Sequence, residues 1–186
     1  STGGYSTAVG YKAGYASTNG GNFTAFGYQA AYSTTTGGSI TAVGTNSMQA
    51  NTTGGYNTAL GTESLYSNTT ASNNTAVGYQ AGYSNTTGSS LVALGYKAGY
   101  TSTGDYNTFI GQQAGYYITS GSKNTTLGCY NGNQGGLDIR TASNYIVLSD
   151  GDGNPRGIFD SSGNLLVGTT SAGLTNTNSI AIQPTY

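Results

Sequence analysis

Histidine and tryptophan are absent from this 186-residue chain, which also has one cysteine, two prolines and only 6% charged residues. Each shortage removes a class of function. Without histidine there is no Ser-His-Asp or Cys-His arrangement, and no His/Cys metal site. A lone Cys129 cannot form a disulfide within the chain. Five basic residues against six acidic ones leave a net charge of −1, which gives no electrostatic ground for binding nucleic acid or an acidic membrane surface. The carboxylates are scattered and form no acid/base pair, and no phosphate-binding loop is present. No apolar run approaches the ~20 residues that span a bilayer, so no membrane insertion is expected. These absences lead to an expectation of no enzymatic activity, no cofactor, no metal, and no catalytic residue.

Glycine (32 residues) and tyrosine (17 residues) are abundant, set among long Asn/Thr/Ser stretches. Such stretches often mark disorder, but disordered chains are usually rich in charge and poor in aromatics. Here the tyrosines are phased. A glycine recurs at Gly10, Gly27, Gly44, Gly61, Gly78, Gly95, Gly111 and Gly128, in steps of 17 residues except for one of 16 between Gly95 and Gly111. A fixed period in this range means stacked supersecondary units.

With the anchor glycine as position zero, position −1 is always apolar: Val9, Phe26, Val43, Leu60, Val77, Leu94, Ile110, Leu127. Position −2 is alanine until Phe109 and Thr126, and position −3 is threonine except for Val92. This Thr-Ala-Val-Gly unit, bounded by Gly/Ser/Asn clusters, predicts a strand. After the anchor, Tyr79-Gln80-Ala81-Gly82-Tyr83 reads as a second strand, with Tyr, Ala and Tyr on one face. The polar column Lys12, Gln29, Asn46, Glu63, Gln80, Lys97 and Gln113 falls on the other, toward solvent. The remainder, such as Ser84-Asn85-Thr86-Thr87-Gly88, has turn chemistry. The lost residue of the short step falls in the loop 101–105, where deletions are tolerated.

The expected fold is all-β: a parallel β-roll or solenoid of eight coils over residues 1–136, a short antiparallel β-meander over 137–170, and a polar tail over 171–186. In the meander, Tyr145–Ser149, Arg156–Asp160 and Leu165–Gly168 read as strands separated by turns. One buried Val or Leu per coil contributes about 1.5–3 kcal/mol, less than the cost of ordering 17 backbones. That deficit predicts a parallel homo-oligomer.

Several motifs have plainer readings. Asp150-Gly-Asp152-Gly-Asn154 resembles the start of a calcium loop, but Ser161 stands where its glutamate belongs, so a turn is expected. Six N-glycosylation patterns, at Asn22, Asn51, Asn68, Asn73, Asn85 and Asn124, are what an Asn/Thr-rich composition produces. Cys129 reads as a small buried replacement for tyrosine. A threonine array could serve ice binding, but its shared parity with the apolar column points it inward or toward a neighbour. The tyrosines Tyr15, Tyr32, Tyr66, Tyr83, Tyr100 and Tyr116 could form a platform for sugars, and a packed ladder is the favoured reading.

The phrase Asn74-Thr-Ala-Val-Gly-Tyr-Gln-Ala-Gly-Tyr-Ser-Asn-Thr-Thr-Gly88 resembles repeats of tail-fibre proteins from marine tailed bacteriophages. It is similar, more distantly, to the left-handed parallel β-roll heads of trimeric autotransporter adhesins. Residues 149–170 look like the segment that precedes the self-cleaving chaperone of many such fibres. The resemblance implies a homotrimer and a surface-exposed fibre, located on the virion or at a cell surface. It also implies attachment to a host envelope receptor or glycan, with the contacting residues unknown. A bacterial surface adhesin and a subunit of an extracellular head-to-tail filament are the alternatives. The chain begins part-way through a repeat, as expected of a piece of a longer protein.

Overall fold

A computed structural model describes residues 4–18 and 21–167, and among them it contains strands, turns and loops but no helix. Eight short strands carry the Thr-Ala-Val unit: β1 (Ser6–Val9), β2 (Phe23–Phe26), β3 (Ile40–Val43), β4 (Thr58–Leu60), β5 (Thr75–Val77), β6 (Val92–Leu94), β7 (Thr108–Ile110) and β8 (Thr125–Leu127). Each pairs in parallel with the next, threonine on threonine and alanine on alanine from β1 to β5, with Val92, Phe109 and Thr126 entering the same columns further on. The parallel solenoid expected from the period is the fold observed. The short step is absorbed in the return loop, where Thr36, Thr53, Thr70 and Thr87 are exposed and the equivalent residue is missing between Thr103 and Gly104.

The anchor glycines sit where the strand ends and the chain turns. All eight have φ between 105° and 140°, which side chains of L-residues rarely adopt. A Cβ on Gly78 would collide with the carbonyl of Gly95, and each anchor up to Gly111 meets the next anchor in the same way. Conformation and close approach both demand glycine at this column.

The second strand predicted after the anchor does not form. Positions +2 and +4 both take left-handed backbone, as in Lys97 (φ 54°) and Leu65 (φ 48°), and the run consists of turns. Ala81 N–H donates to Gly78 O, and Asn85 N–H to Gly82 O, closing two successive four-residue turns. The coils still pair here, for Gly82 N–H donates to Ala98 O and Ser84 N–H to Tyr100 O. Because two residues in every five are left-handed, period-two alternation fails. Positions +3 and +4 turn inward, while +1, +2 and +5 lie on the outside.

The interior is therefore thin. The strand contributes its alanine column (Ala25, Ala42, Ala59, Ala76, Ala93, all 0% exposed), and the turn side contributes Ala30, Ala81 and Ala98 at +3. Several of the larger residues fit where glycine faces them. A Cβ on Gly99 or Gly115 would strike the Phe109 ring, and one on Gly82 would strike Leu65 and Leu91. Other rungs fill the space at −4 with asparagine. Asn74 Nδ2 donates to Gly88 O (3.0 Å), and its Oδ1 accepts from Leu91 N–H (2.8 Å). Asn57, Asn107 and Asn124 repeat the arrangement. Every such amide is buried yet bonded, as burial requires.

Polar ladders also hold the return loops. Thr52 and Thr69 each donate their hydroxyl and N–H to a threonine carbonyl one coil on. Ser72, Ser89, Asp105, Ser122 and Ser143 accept, in turn, an N–H from the coil before. The low-complexity Asn/Thr/Ser text is thus the hydrogen-bonding frame of the rod.

The stack does not end at β8. A two-residue hairpin, β9 (Asn133–Gln134) with β10 (Leu137–Asp138), is inserted after it, and β11 (Ile146–Ser149) then pairs in parallel with β8. Ile146 lies beside Thr125 and Leu148 beside Leu127, a step of 21 residues instead of 17. Tyr130 fills the space beneath the insertion, its hydroxyl donating to Leu137 O (2.9 Å), and burial pushes its phenol well above the usual range. Then β12 (Pro155–Phe159) and β13 (Leu165–Val167) add antiparallel, the meander expected from the sequence. One eleven-stranded sheet runs from β1 to β13, across the boundary expected at 136/137. The expected tail over 171–186 lies outside the described residues.

Candidate functional site

Two faces of the rod carry the features available for recognition. On the strand side, alanine faces in, so its neighbours at −3 and −1 face out. Threonine and the apolar column share one face, as parity required, but that face is the outside of the coil and not its core. Phe26 is 56% exposed, Leu60 46%, Leu127 38%. The physical reason is the narrow interior: a strip backed by Ala and Gly accepts alanine at every rung, and a Val or Leu at every rung would overfill it.

The outward face continues onto the last three strands. Pairing places Ile146, Phe159 and Leu165 in line with the threonines, and Leu148, Gly157 and Val167 in line with the Val/Leu column. The result is a strip two residues wide and, at ~4.8 Å per strand, about 50 Å long. Its composition changes along the length, from Thr/Val near β1 to wholly apolar at β13. An apolar strip this continuous is not what a soluble monomer ordinarily shows to water. The bulk of Phe26, Leu60 and Ile110 also breaks the flat threonine array that ice binding would need.

The opposite, turn side carries aromatic ladders. Tyr66, Tyr83, Tyr100 and Tyr116 stack with centroids 4.9–5.0 Å apart, and Tyr15 stacks on Tyr32 at 5.3 Å. The packed-ladder reading of this column holds. A second ladder at +1 pairs Tyr11 with Tyr28 and Tyr79 with Tyr96. Between the two runs the polar +2 column, half-buried from Lys12 to Lys97 and exposed only at Gln113, where the expectation of a solvent-facing column holds. Lys12 and Lys97 lay their ammonium groups over the flanking rings at 5.4–6.0 Å. Glu63 accepts from Gln80 Nε2 (2.7 Å). Burial, and then the Glu63 charge, raise the Tyr83 phenol above its ordinary value. Cys129 ends the +1 column and is half-buried, so it is not the buried replacement expected.

Smaller features have structural explanations. An open groove of about 380 Å³ lies where the rod meets the inserted hairpin, lined by Tyr117, Thr119, Asp138, Arg140 and Thr141. Its charges neutralise each other, Arg140 Nη2 lying 2.7 Å from Asp138 Oδ2. Asp150 heads a turn, accepting from the N–H groups of Asp152 and Asn154 and from Arg156. Asp160 does the same with Ser162 and Asn164, so the two hairpins share one Asp-x-x-Gly-Asn turn. Among the described residues no three His, Cys, Asp or Glu groups gather as metal ligands. Of the glycosylation patterns, Asn51, Asn68, Asn85 and Asn124 are buried with their amides engaged, and Asn22 and Asn73 are exposed.

No family model, curated protein or solved structure matches this chain. Among the described residues no helix is long and apolar enough to cross a membrane.

Proposed function

We propose that this chain is a structural and adhesive fibre segment of a phage tail. It works as a parallel homotrimer, on the virion, presenting a rigid rod for attachment to a host-surface glycan or envelope receptor. The outward apolar strip carries this reading. A single copy leaves ten bulky apolar side chains of an eleven-stranded sheet exposed to water, and parallel copies around a common axis bury them together. The strip offers register for such an assembly, because its composition changes from Thr/Val near β1 to wholly apolar at β13.

The resemblance of residues 149–170 to the end of phage fibres favours a phage over an autotransporter. The antiparallel strands β12 and β13 terminate the parallel stack at one end, which favours a discrete particle over a head-to-tail filament. Sedimentation equilibrium tests the reading. A discrete species of three times the 18.8 kDa chain mass is the expected result. A stable monomer contradicts the oligomer, and a polydisperse series of long particles replaces it with the filament.

A further inference from the structure

The tyrosine ladders are interrupted at one place, and both are interrupted there. In the +5 column Gln49 stands between Tyr32 and Tyr66. Tyr32 stacks only on Tyr15, and Tyr66 only on Tyr83, so each has one ring face toward the gap without a ring upon it. In the +1 column Thr45 and Thr62 stand between Tyr28 and Tyr79, whose rings stack only on Tyr11 and Tyr96. Four ring faces therefore border the third and fourth coils.

The spacing suits a ring-shaped guest. Two coil steps separate Tyr32 from Tyr66, roughly 10 Å at the sheet spacing. One inserted ring would have about 5 Å on either side, the separation at which the ladder itself stacks. Gln49 turns its amide toward the polar column. Its Nε2 donates to Gln29 Oε1 at 2.9 Å, one coil back and in the polar column, which draws the side chain aside.

The floor between the two gaps is polar. It holds Gln29, Asn46 and Glu63, the rod's single carboxylate before Asp105, with Gln80 beyond. Asn46 Oδ1 and Gln80 Oε1, both shielded from solvent, have no hydrogen-bond donor among the described residues. Lysines lie over the rings at the first and sixth coils, and here an acid takes that column instead.

We propose that the third and fourth coils form a binding site for a neutral pyranose of a surface glycan. A sugar ring has flat C–H faces that stack on tyrosine, and hydroxyls at its rim that donate to amide and carboxylate oxygens. The gap between Tyr32 and Tyr66 takes one sugar ring edge-in, and the wider gap between Tyr28 and Tyr79 takes its neighbours. Glu63, held by Gln80 Nε2, supplies the carboxylate acceptor. Only the choice of a surface glycan as ligand rests on the attachment reading above. The site lies on the turn side, across the coil from the apolar strip, so association of chains leaves it open.

Titration of the intact chain with cellulose-, chitin- and starch-derived oligosaccharides tests the proposal, read by tyrosine fluorescence and by NMR shifts of the Tyr32 and Tyr66 rings. At least one oligosaccharide is expected to move those two resonances. Gln49→Tyr makes the column continuous with the residue other coils carry, and is expected to weaken binding about tenfold or more while the fold is kept. Tyr83→Gln opens a matching gap between Tyr66 and Tyr100, and is expected to add a second ring-sized site. Binding that Gln49→Tyr leaves undiminished overturns the site, as does failure of every oligosaccharide to move Tyr32 or Tyr66. Neither result bears on the sedimentation mass, so failure of the site and failure of the fibre reading are separable.

Discussion

The strand side and the turn side of each coil stack on the same hydrogen-bonded rungs, yet they solve the surface problem in opposite ways. The strand side puts its smallest residue inside and its apolar residues outside, which leaves an apolar strip exposed in the single chain. The turn side tucks alanine and glycine inside and covers itself with tyrosines that stack on one another. One side leaves an apolar strip open in the single chain, and the other is nearly complete in itself. In a coil of 17 residues the interior cannot house both sets of large side chains, so they are moved to the surface, where the tyrosines cover one another from coil to coil.

The corner joining the two sides is where a substitution should do most damage. Gly78→Val places a branched side chain at φ 134° and against the backbone of the next rung. A loss of about 4 kcal/mol or more, or failure to fold, is expected by urea titration. A midpoint near that of the unaltered chain would mean that the corner is looser than described.

Asn74→Ala probes the interior that both sides share. It strands the Leu91 N–H and removes one of the two side-chain donors to Gly88 O, Asn85 Nδ2 remaining, and about 2–3 kcal/mol should be lost. On the turn side alone, Tyr83→Ala removes two stacking contacts of 5.0 Å and should cost about 1–2 kcal/mol. If Tyr83→Ala cost more than Asn74→Ala in the same titration, the turn side would be the principal support of the rod.

The meander offers a contrast to both sides, because its turns depend on charge. The Asn154 N–H and then the Arg156 guanidinium hold Asp150 down to about 2, and the Asn164 amide lowers Asp160. A carboxylate whose folded pKa is depressed stabilises fully above its unfolded value of about 4, and that contribution is lost as pH falls toward 2. Protection of the Val147 and Ile158 amides against exchange, relative to the intrinsic rate at each pH, should fall over this window, while that of Ala76 in the rod changes little. Equal loss of protection at all three would show that the rod and the meander unfold as one unit.

Much of the fold was legible in the sequence because the period is enforced sterically. An anchor that must be glycine, and a strand text that must stay in register, leave a mark in every copy. The shortened loop was legible for the same reason, since only the exposed threonine could be dropped. Parity showed that threonine and the apolar column share a face, but alternation alone cannot say which face is inside. The small size of Ala30, Ala81 and Ala98 opposite the strand was the signal that alanine, not valine, fills the core. The turn run was misread as a strand because Tyr-x-Ala-x-Tyr alternates in the text. Glycine at +4 in Gly14, Gly82, Gly99 and Gly115 marked the left-handed backbone there. The ninth rung was hidden by the inserted hairpin, although Ile146-Val147-Leu148 aligns with Thr125-Thr126-Leu127 once the longer step is allowed. The interrupted ladders could be read from the columns, for Thr45, Gln49 and Thr62 depart from tyrosine on adjacent coils.

The central claim is that other chains cover the strand side and leave the turn side open. Leu60 and Thr62 are two residues apart, on either side of Gly61, and both are exposed in a single chain. With Cys129→Ser as background, Leu60→Cys and Thr62→Cys would each place one thiol, and the rate of labelling by a soluble thiol reagent can be compared. The account predicts slow labelling at position 60 and fast labelling at position 62, with the difference abolished in urea. Equal, fast labelling at both positions in the native protein would contradict it.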